Sequence, residues 1–319
     1  MPLTFQELEK PYLELDSSFR RLRDFCRDHG VEMERGLGML EEQTARLQMQ
    51  ECASLAPIQK VQMARHPLRP FPWDLQERIF RNFHELHGDR RFADDAAIFG
   101  GLAELDGKPL LVIGTRKGRD ITESMTVNFG SAHPEGYRKA MRLMLLADKL
   151  GLPIINLVDT PGAYPGIAAE ERHIGEAIAC NLRDMFRLKV PVISIITGEG
   201  GSGGALGLSI ANRVLMLDNA YYSVITPEGC AAILWRSADA APQAAEALHL
   251  TCDSLLRLDV VDEVIPEPPG GAHRDWDATA AFVKQAILHN LRQLQQLTPD
   301  QLHQDRLERF RRLGQFAES

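Results

Sequence analysis

Residues 195–206 read Ile-Ile-Thr-Gly-Glu-Gly-Gly-Ser-Gly-Gly-Ala-Leu, a glycine-rich stretch that indicates the fold class. The apolar, largely β-branched run 190–196 leads into its glycines, and the apolar segment 205–210 follows them. This order predicts a buried strand that turns into a helix. Glycine lets another group approach the main chain closely, and the dipole at the start of a helix favours negative charge. We therefore expect the turn to form an anion site made of backbone N–H groups.

A second loop of this kind follows the preceding predicted strand, residues 153–158. Residues 159–166 read Asp-Thr-Pro-Gly-Ala-Tyr-Pro-Gly, a proline-stiffened loop with backbone groups exposed at Gly162 and Ala163. Strands and helices alternate in this part of the chain, which predicts an α/β fold with right-handed crossovers. Ligands of such folds bind beyond the carboxyl ends of the strands. We therefore expect this loop to face residues 197–204 and to supply further N–H donors.

The periodicity of the remaining chain predicts the other elements. Two helices are predicted within residues 1–60, joined by a turn in the segment 28–38, which contains Gly30 and Gly36. Their leucine stripe needs a cover, either the core or a partner chain. The proline-rich residues 64–73 predict an extended link. The elements expected beyond it are a helix at 74–87, a hairpin of 97–105 and 109–114 with an Asp-Gly turn, helices Pro134–Leu150 and 170–188, strands Arg213–Leu217 and 221–225, a helix at 231–258 interrupted at Pro242, and a long helix at 276–313. The last helix ends in the basic cluster Arg306, Arg309, Arg311 and Arg312, which is expected to be a solvated face of a helix that packs on the core, with contact to another subunit as the second interpretation.

Composition and charge narrow the class of protein. The 319 residues are 44% apolar, enough for a sizeable core, and the net charge of −8 argues against a dedicated nucleic-acid binder. The five cysteines form no C-x-x-C pair, which argues against a zinc ribbon, and their odd number fits a reducing compartment. The first residues do not resemble a signal peptide, and no apolar run approaches the roughly 18–20 residues that span a membrane. We expect a cytoplasmic protein that binds neither membrane nor nucleic acid.

Two other interpretations of the glycine-rich stretch remain open. Residues 200–204 match G-x-S-x-G, the nucleophile elbow of hydrolases, with Ser202 as the nucleophile. His249 and His273 are then candidate bases, although neither has a context that singles it out. The glycines also suit tight packing of a helix on a strand. A Walker motif is not among the alternatives, because no Gly-Lys-Ser/Thr follows.

Basic residues near the predicted strands are a second candidate anion site. Lys117-Gly-Arg119 and the helix residues Lys139 and Arg142 put positive charge into an acidic chain. Such side chains suit phosphates or a carboxylate. For Lys139 and Arg142 a solvated helix face is an equal alternative.

Several motifs together resemble a known family. They are Asp159-Thr-Pro-Gly-Ala-Tyr-Pro-Gly166, Gly198-Glu-Gly-Gly-Ser-Gly-Gly-Ala-Leu206, Tyr222-Ser-Val-Ile-Thr-Pro-Glu-Gly-Cys230, Pro266-Glu-Pro-Pro-Gly-Gly-Ala-His-Arg274, Ala64-Arg-His-Pro67, and Asn128-Phe-Gly with Pro134-Glu-Gly-Tyr-Arg-Lys139. Across residues 56–274 the chain resembles the carboxyltransferase alpha subunits of bacterial acetyl-coenzyme A carboxylase, and its length fits theirs.

The resemblance implies a fold, a reaction and partners. The fold is α/β and crotonase-like (ClpP/crotonase type), a superhelix of ββα units, with an N-terminal helical arm over residues 1–60, a carboxyltransferase domain over 61–274 and a C-terminal helical extension over 275–319. The reaction moves a carboxyl group from carboxybiotin, held on a biotin carboxyl carrier protein, to acetyl-CoA and gives malonyl-CoA, the first committed step of fatty acid biosynthesis. The alpha subunit acts only with a zinc-bearing beta subunit, in an α2β2 heterotetramer. Biotin carboxylase belongs to the wider complex, and nucleotide (ATP) binding is implied with it.

The resemblance also implies which residues form the site. Gly203 and Gly204 would donate N–H groups to the ureido oxygen of biotin, while the partner chain would hold the thioester enolate. Gly162 and Ala163 are candidate further donors. The remaining candidate binding residues are Tyr164, Pro165, Gly166, Gly200, Gly201, Ser202, Ala205, Lys117 and Arg119, and no metal is expected in this chain.

The chain departs from the family pattern at three places. Thr115 and Arg116 replace other polar residues, residues 121–127 contain no base, and residues 173–175 read His-Ile-Gly in place of a small polar run. The glycines of the site are intact. These departures leave a second interpretation open, a diverged paralogue that carboxylates another acyl-CoA or serves as a scaffold.

Overall fold

A mixed β-sheet forms the centre of the computed structural model, which describes residues 4–314. Residues 1–3 and 315–319, the outer ends of the predicted arm and extension, lie outside the described residues. The eight strands of the described part are β1 (Arg81–Glu85), β2 (Ile98–Leu105), β3 (Lys108–Thr115), β4 (Ile154–Thr160), β5 (Val192–Gly201), β6 (Arg213–Leu217), β7 (Tyr221–Ser223) and β8 (Glu263–Ile265). Their order is β1-β2-β3-β4-β5-β6-β8, with β7 paired to the end of β5. The first three strands are antiparallel, and the pairs from β3 to β8 are parallel.

Helices connect and flank these strands. They are α1 (Phe5–His29), α2 (Glu34–Ala53), α3 (Pro57–Ala64), α4 (Pro72–Ile79), α5 (Ile121–Thr126), α6 (Pro134–Leu150), α7 (Ile167–Glu170), α8 (Ile174–Met185), α9 (Ser202–Leu206), α10 (Pro227–Trp235), α11 (Ala241–Leu248), α12 (Cys252–Arg257), α13 (Trp276–Leu294) and α14 (Pro299–Arg311), with short 3₁₀ turns at Asn128–Gly130, Ala238–Ala240 and Ala272–Arg274. Helix α6 has the predicted bounds, with a proline in its first turn and Gly151 in the left-handed conformation (φ 69°) after its end. Every residue of β4 and β5 is buried, as their apolar runs predicted. The predicted hairpin is confirmed as β2 and β3.

The predicted helix at 74–87 is wrong in its second half. Pro72 begins α4, Phe80 is already extended, and the chain then forms β1. This strand pairs with β2, and Phe83 packs edge-on against Trp73 and Phe99. Pairing to the sheet edge and burial of the aromatic side chain outweigh the helical pattern of the segment.

Several other helices and strands begin or end at residues different from those predicted. Strand β5 continues through Gly201, since its last three residues pair with β7. The helix at 170–188 is broken at His173, whose φ is 62°, into α7 and α8. The segment at 231–258 forms parts of three helices, and the long helix at 276–313 stops at Leu294 and restarts with Pro299. The predicted strand at 221–225 ends at Ser223.

The C-terminal helix α14 is fixed to the core by buried arginines, where the sequence predicted a solvated face. Arg306 is fully buried and donates to the carbonyl groups of Met185, Leu188 and Val190 at 2.7–3.0 Å. Arg309 is buried as well. The helix packs on the core as expected, but its basic residues make the attachment.

The N-terminal pair α1 and α2 covers only part of its apolar stripe. Gly30, with φ 66°, ends α1 and makes the predicted turn. Phe5 and Leu37 are buried, whereas Leu40 and Leu47 are 50% and 57% exposed. Within the described residues, no helix is both long enough and apolar enough to cross a lipid bilayer.

Candidate active site

The two predicted loops meet at the carboxyl ends of β4 and β5. A Cβ atom on Gly204 would lie 2.5 Å from the backbone N of Ala163, and one on Gly201 would lie 2.1 Å from the carbonyl O of Pro161. Side-chain carbons do not approach backbone atoms so closely, so only glycine fits both positions. The expectation that the loops face each other is confirmed. The glycines serve the close approach of two main chains.

Of the Gly162 and Ala163 N–H groups in the first loop, one is available to a ligand. The Gly162 N–H donates to the Thr160 hydroxyl at 3.1 Å, and the Tyr164 N–H donates to the Ala132 carbonyl at 3.0 Å. Between them, the Ala163 N–H has no hydrogen-bond acceptor among residues 4–314. Of the two donors predicted here, Ala163 is therefore the one that a ligand finds free.

The second loop places its donors in the first turn of α9. Gly203 and Gly204 follow Ser202 there, and the first N–H groups of a helix have no intrahelical acceptor. Gly200 and Gly201 lie buried in β5, and Ala205 is buried within α9. The backbone donors of the second loop are thus presented beside the free N–H of the first.

Ser202 has the backbone conformation of a nucleophile but lacks a base. Its φ is 51°, and it stands exposed between strand and helix, as the nucleophile-elbow alternative requires. Among the described residues no histidine is hydrogen-bonded to its hydroxyl: His249 is exposed after α11, and His273 contacts Glu9. The hydrolase alternative therefore lacks its general base.

A cavity of about 350 Å³ opens beside Ser202 and Gly203. Most of its lining is apolar, including Leu206, Val214 and Phe310. On the other loop, Tyr164 stacks on the ring of His133 with centroids 4.2 Å apart, and Pro165 and Gly166 lead from it into α7. The loops thus border an apolar space and carry an aromatic face.

A network of buried charges lies behind the two loops. Lys117 Nζ donates to Asp159 Oδ1 at 2.6 Å and to Glu199 Oε1 at 2.7 Å. Arg65 Nε and the Tyr221 hydroxyl donate to Glu199 Oε2 at 2.7 and 2.6 Å. The sequence put Lys117 forward as a ligand for phosphate or carboxylate, but the structure pairs it with two carboxylates of its own chain.

Titration behaviour follows from this pairing. Burial alone would raise the pKa of Glu199, but the charges of Lys117 and Arg65 outweigh it and lower the pKa to about 2. Burial alone would lower the pKa of Lys117, but Asp159 and Glu199 raise it. Burial and the Glu199 charge raise the pKa of Tyr221. Glu199 and Lys117 therefore keep their charges throughout the neutral range.

Three further side chains support the loops from behind. The Thr115 hydroxyl donates to the Asp159 carbonyl at 2.8 Å and accepts from the Asp159 N–H at 2.7 Å. Arg69 is fully buried, donates to the Thr197 carbonyl at 2.8 Å and pairs with Glu267 at 2.5 Å. Thr115 therefore fixes the end of β4.

Arg119 stabilises the proline-rich link and does not face the loops. Its guanidinium donates to the carbonyls of Pro67 and Arg69, pairs with Asp74, and lies 3.8 Å from the ring centre of Phe71. As with Lys117, protein groups occupy the donors that the sequence assigned to an anion.

Three potential metal ligands come together where α1 contacts the core. Glu9, His66 and His273 have ligand atoms within 4.8 Å of one another. His66 Nδ1 accepts from the Leu68 N–H at 3.2 Å, which puts the ring proton on Nε2, the nitrogen that faces Glu9. His273 Nδ1 is buried without a partner, whereas metal-binding histidines almost always donate from their second nitrogen. The hydrogen bonds thus argue for a protein contact, in which His273 Nε2 and Glu9 Oε1 are 2.6 Å apart.

Solved structures define the class of fold. The transcarboxylase 12S core, determined with methylmalonyl-coenzyme A and methylmalonic acid bound, aligns with 70% of this chain and 41% of its own at a TM-score of 0.57 and 19% identity. A Pseudomonas malonate decarboxylase hetero-tetramer in complex with coenzyme A aligns with 68% of this chain and 86% of its own at a TM-score of 0.56 and 22% identity. At these identities the likeness speaks for the fold alone. The predicted crotonase-like α/β fold is confirmed.

Sequence similarity identifies the family within this class. The family described as acetyl co-enzyme A carboxylase carboxyltransferase-like matches residues 5–314. The chain is 54% identical over 318 residues to an acetyl-coenzyme A carboxylase carboxyl transferase subunit alpha of Thermus thermophilus, with 100% of both chains covered. The chain belongs to this carboxyltransferase family. The predicted resemblance and enzyme class are confirmed, whereas the expectation of ATP binding finds no support.

Proposed function

We propose that the chain is the alpha subunit of an acetyl-CoA carboxylase carboxyltransferase, which transfers the carboxyl group of carboxybiotin to acetyl-CoA and gives malonyl-CoA for fatty acid biosynthesis. The observation that carries the proposal is the similarity, at 54% identity over the full length, to a subunit of that name. The geometry of the two loops agrees with it, because the reaction needs stabilisation of an oxyanion more than it needs a side-chain base.

The residues present fit a ureido ring. When bound, carboxybiotin supplies the carboxyl group and leaves negative charge on its ureido oxygen. Gly203 and Gly204 offer backbone N–H groups for that oxygen, and the free Ala163 N–H lies against Gly204 on the facing loop. Each preorganised donor of this kind contributes about 3–4 kcal/mol. The adjoining cavity of about 350 Å³, with its mainly apolar lining, suits the apolar part of the ring system.

A second subunit completes the site in this proposal. The relatives are named as one subunit, alpha, and the Pseudomonas neighbour is a hetero-tetramer. We assign the thioester enolate to a zinc-bearing beta subunit in an α2β2 assembly, served by a biotin carboxyl carrier protein and biotin carboxylase. The half-exposed Leu40 and Leu47 of α2 supply an apolar face for such a partner.

Location and chain division are part of the proposal. All five cysteines are free thiols, which supports a reducing compartment and hence the cytoplasm. The helical pairs at the two ends support division into an arm over residues 1–60, a carboxyltransferase domain over 61–274 and an extension over 275–319.

Copurification and an activity assay test the proposed function. The tagged chain is expressed with the beta subunit of its own genome, and the purified complex is assayed for malonyl-CoA formation from acetyl-CoA and carboxylated biotin. We expect formation of malonyl-CoA that requires both subunits. A complex that transfers no carboxyl group to acetyl-CoA but carboxylates another acyl-CoA in a substrate panel would establish the diverged paralogue instead. Labelling of Ser202 by a serine-reactive probe would support the hydrolase interpretation instead.

A further inference from the structure

The buried charge network connects the two loops of the site in two ways: the Glu199 N–H donates to Asp159 Oδ1 at 2.8 Å, and Lys117 contacts a carboxylate on each loop. Asp159 lies two residues before Pro161 in the first loop, and Glu199 lies two residues before Gly201 in the second. Lys117 Nζ contacts both carboxylates, at 2.6 and 2.7 Å. We infer that Lys117 is a positioning residue for carboxyl transfer: it neutralises the carboxylates at the ends of β4 and β5, holds the Glu199 N–H to Asp159 contact in place, and thereby fixes the separation of the backbone donors on the two loops. This inference rests on the function proposed above.

The stem of Lys117 is held as firmly as its charged end. A Cβ atom on Gly130 would lie 2.8 Å from Lys117 Cγ and 3.4 Å from Pro161 Cδ, so the aliphatic stem runs against the turn before α6 and close to the first loop. Only 14% of the Lys117 side chain is exposed. With its stem packed and its ammonium doubly bound, this side chain transmits the position of one loop to the other.

The charge balance of the network depends on Lys117, because no other cation of the network contacts Asp159. Arg65 contacts Glu199 but not Asp159, so Lys117 is the cation that neutralises Asp159 within the described residues. The Asp159 carboxylate is 1% exposed, and its second oxygen already lacks a hydrogen-bond partner. Without Lys117 a buried carboxylate would remain uncompensated next to the loops on which the proposed reaction develops further negative charge. The loops would have to separate or admit water to solvate it.

A substrate contact and a positioning role predict different kinetics. A lysine that binds an anionic group of the substrate contributes to KM, whereas one that fixes the spacing of transition-state donors contributes to kcat. Both carboxylate contacts of Lys117 are with its own chain. The geometry thus favours an effect on kcat.

Four variants of the alpha subunit, assayed in the assembled complex, test this role. Lys117→Met removes the charge and keeps the stem, and Lys117→Arg keeps the charge. The double variant Lys117→Met/Asp159→Asn removes one charge of each sign, and its remaining pair is Glu199 with Arg65. The matched control is Lys60→Met, which removes another buried lysine from its aspartate, Asp218, without touching either loop.

We expect Lys117→Met to lower kcat by about 100-fold, equivalent to about 2.7 kcal/mol, because a displacement near 1 Å has that effect. KM for acetyl-CoA and for carboxylated biotin should change by less than about threefold. The kcat of the double variant should be at least about tenfold higher than that of Lys117→Met, and the kcat of Lys117→Arg should be about tenfold lower than that of wild type. Lys60→Met should lower the melting temperature and keep kcat within about threefold of wild type.

Hydrogen exchange provides a readout that does not depend on turnover. In Lys117→Met the hydrogen-bonded amides of the two loops should exchange at least about tenfold faster, with protection elsewhere unchanged; these amides are those of Asp159, Gly162, Tyr164 and Glu199. A wild-type kcat, a rise in KM alone, or a kcat loss that matches the loss of assembled complex would overturn the inference. An inactive wild-type complex would refute the proposed function separately, and the exchange rates would then still decide whether Lys117 holds the loops.

Discussion

Replacement of Gly204 by alanine perturbs the contact between the two loops directly. The added Cβ would lie 2.5 Å from backbone atoms of Ala163 and Gly162, whereas ordinary contact begins near 3.4 Å. Backbone blocks the position, so the first loop must move by about 1 Å. Overpacking of this kind lowers the free energy of unfolding by about 1–3 kcal/mol. A 1 Å displacement among the N–H donors also lowers kcat by about 100-fold.

Gly203 provides a matched control in the same turn. A Cβ there would lie 3.6 Å from the Ile178 side chain, which is ordinary contact. The assay measures malonyl-CoA formation by the assembled complex, with calorimetric melting of each variant. We expect Gly204→Ala to lower both the melting temperature and kcat, and Gly203→Ala to melt like the wild type with at least about tenfold higher kcat than Gly204→Ala. Equal losses in the two variants, or wild-type kcat in Gly204→Ala, would refute the reasoning.

Three further substitutions test other parts of the structure. Glu267→Gln should lower the free energy of unfolding by about 3–5 kcal/mol near neutral pH, because it leaves the fully buried Arg69 without its counter-charge. Burial alone would raise the pKa of Glu267, but Arg69 lowers it from 4.5 to about 2. The stability difference between wild type and Glu267→Gln should therefore be fully present above pH 4.5 and be lost as the pH falls toward 2. Urea denaturation across this range measures the difference, and a difference that grows in acid would contradict the prediction. Ser202→Gly should keep kcat within about threefold of wild type, because glycine accepts the φ of 51° and the proposed donors are backbone N–H groups. A loss of kcat above about 100-fold would show that the Ser202 hydroxyl takes part in the reaction. Arg306→Leu should lower the free energy of unfolding by about 3 kcal/mol or more, since it removes the donors to three buried carbonyl groups. The control Arg311→Leu, at an exposed position, should change this free energy by less than about 0.5 kcal/mol. Equal effects of the two variants in denaturant titrations would show that Arg306 does not attach α14 to the core.

Elements whose signals are local were predicted well from the sequence. The Asp-Gly turn between β2 and β3, Pro134 at the start of α6 and the apolar run of β4 act through neighbouring residues alone. The elements that were missed depend on distant partners. Strand β1 is held by its pairing with β2, and the end of β5 by its pairing with β7, and neither pairing leaves a local trace.

The candidate site divides in the same way. Its glycines stand out in the sequence because close backbone approach demands them. The charge network does not, since Lys117 and Asp159 are 42 residues apart and Arg65 and Glu199 are 134 apart. Ala163 and Gly162 could be distinguished as donors only after the Thr160 hydroxyl was seen to occupy the Gly162 N–H. The structure thus shows which of these residues contact each other, and the sequence alone does not.

A structure of the assembled complex with biotin bound would show whether the backbone N–H groups of the second loop hold the ureido oxygen. We predict that the ureido oxygen lies about 2.7–3.1 Å from the backbone N of Gly203 or Gly204. The Ala163 loop should keep its contact with Gly204 in that complex. A ureido oxygen held by side chains or by the partner subunit alone, with these N–H groups directed elsewhere, would contradict the claim.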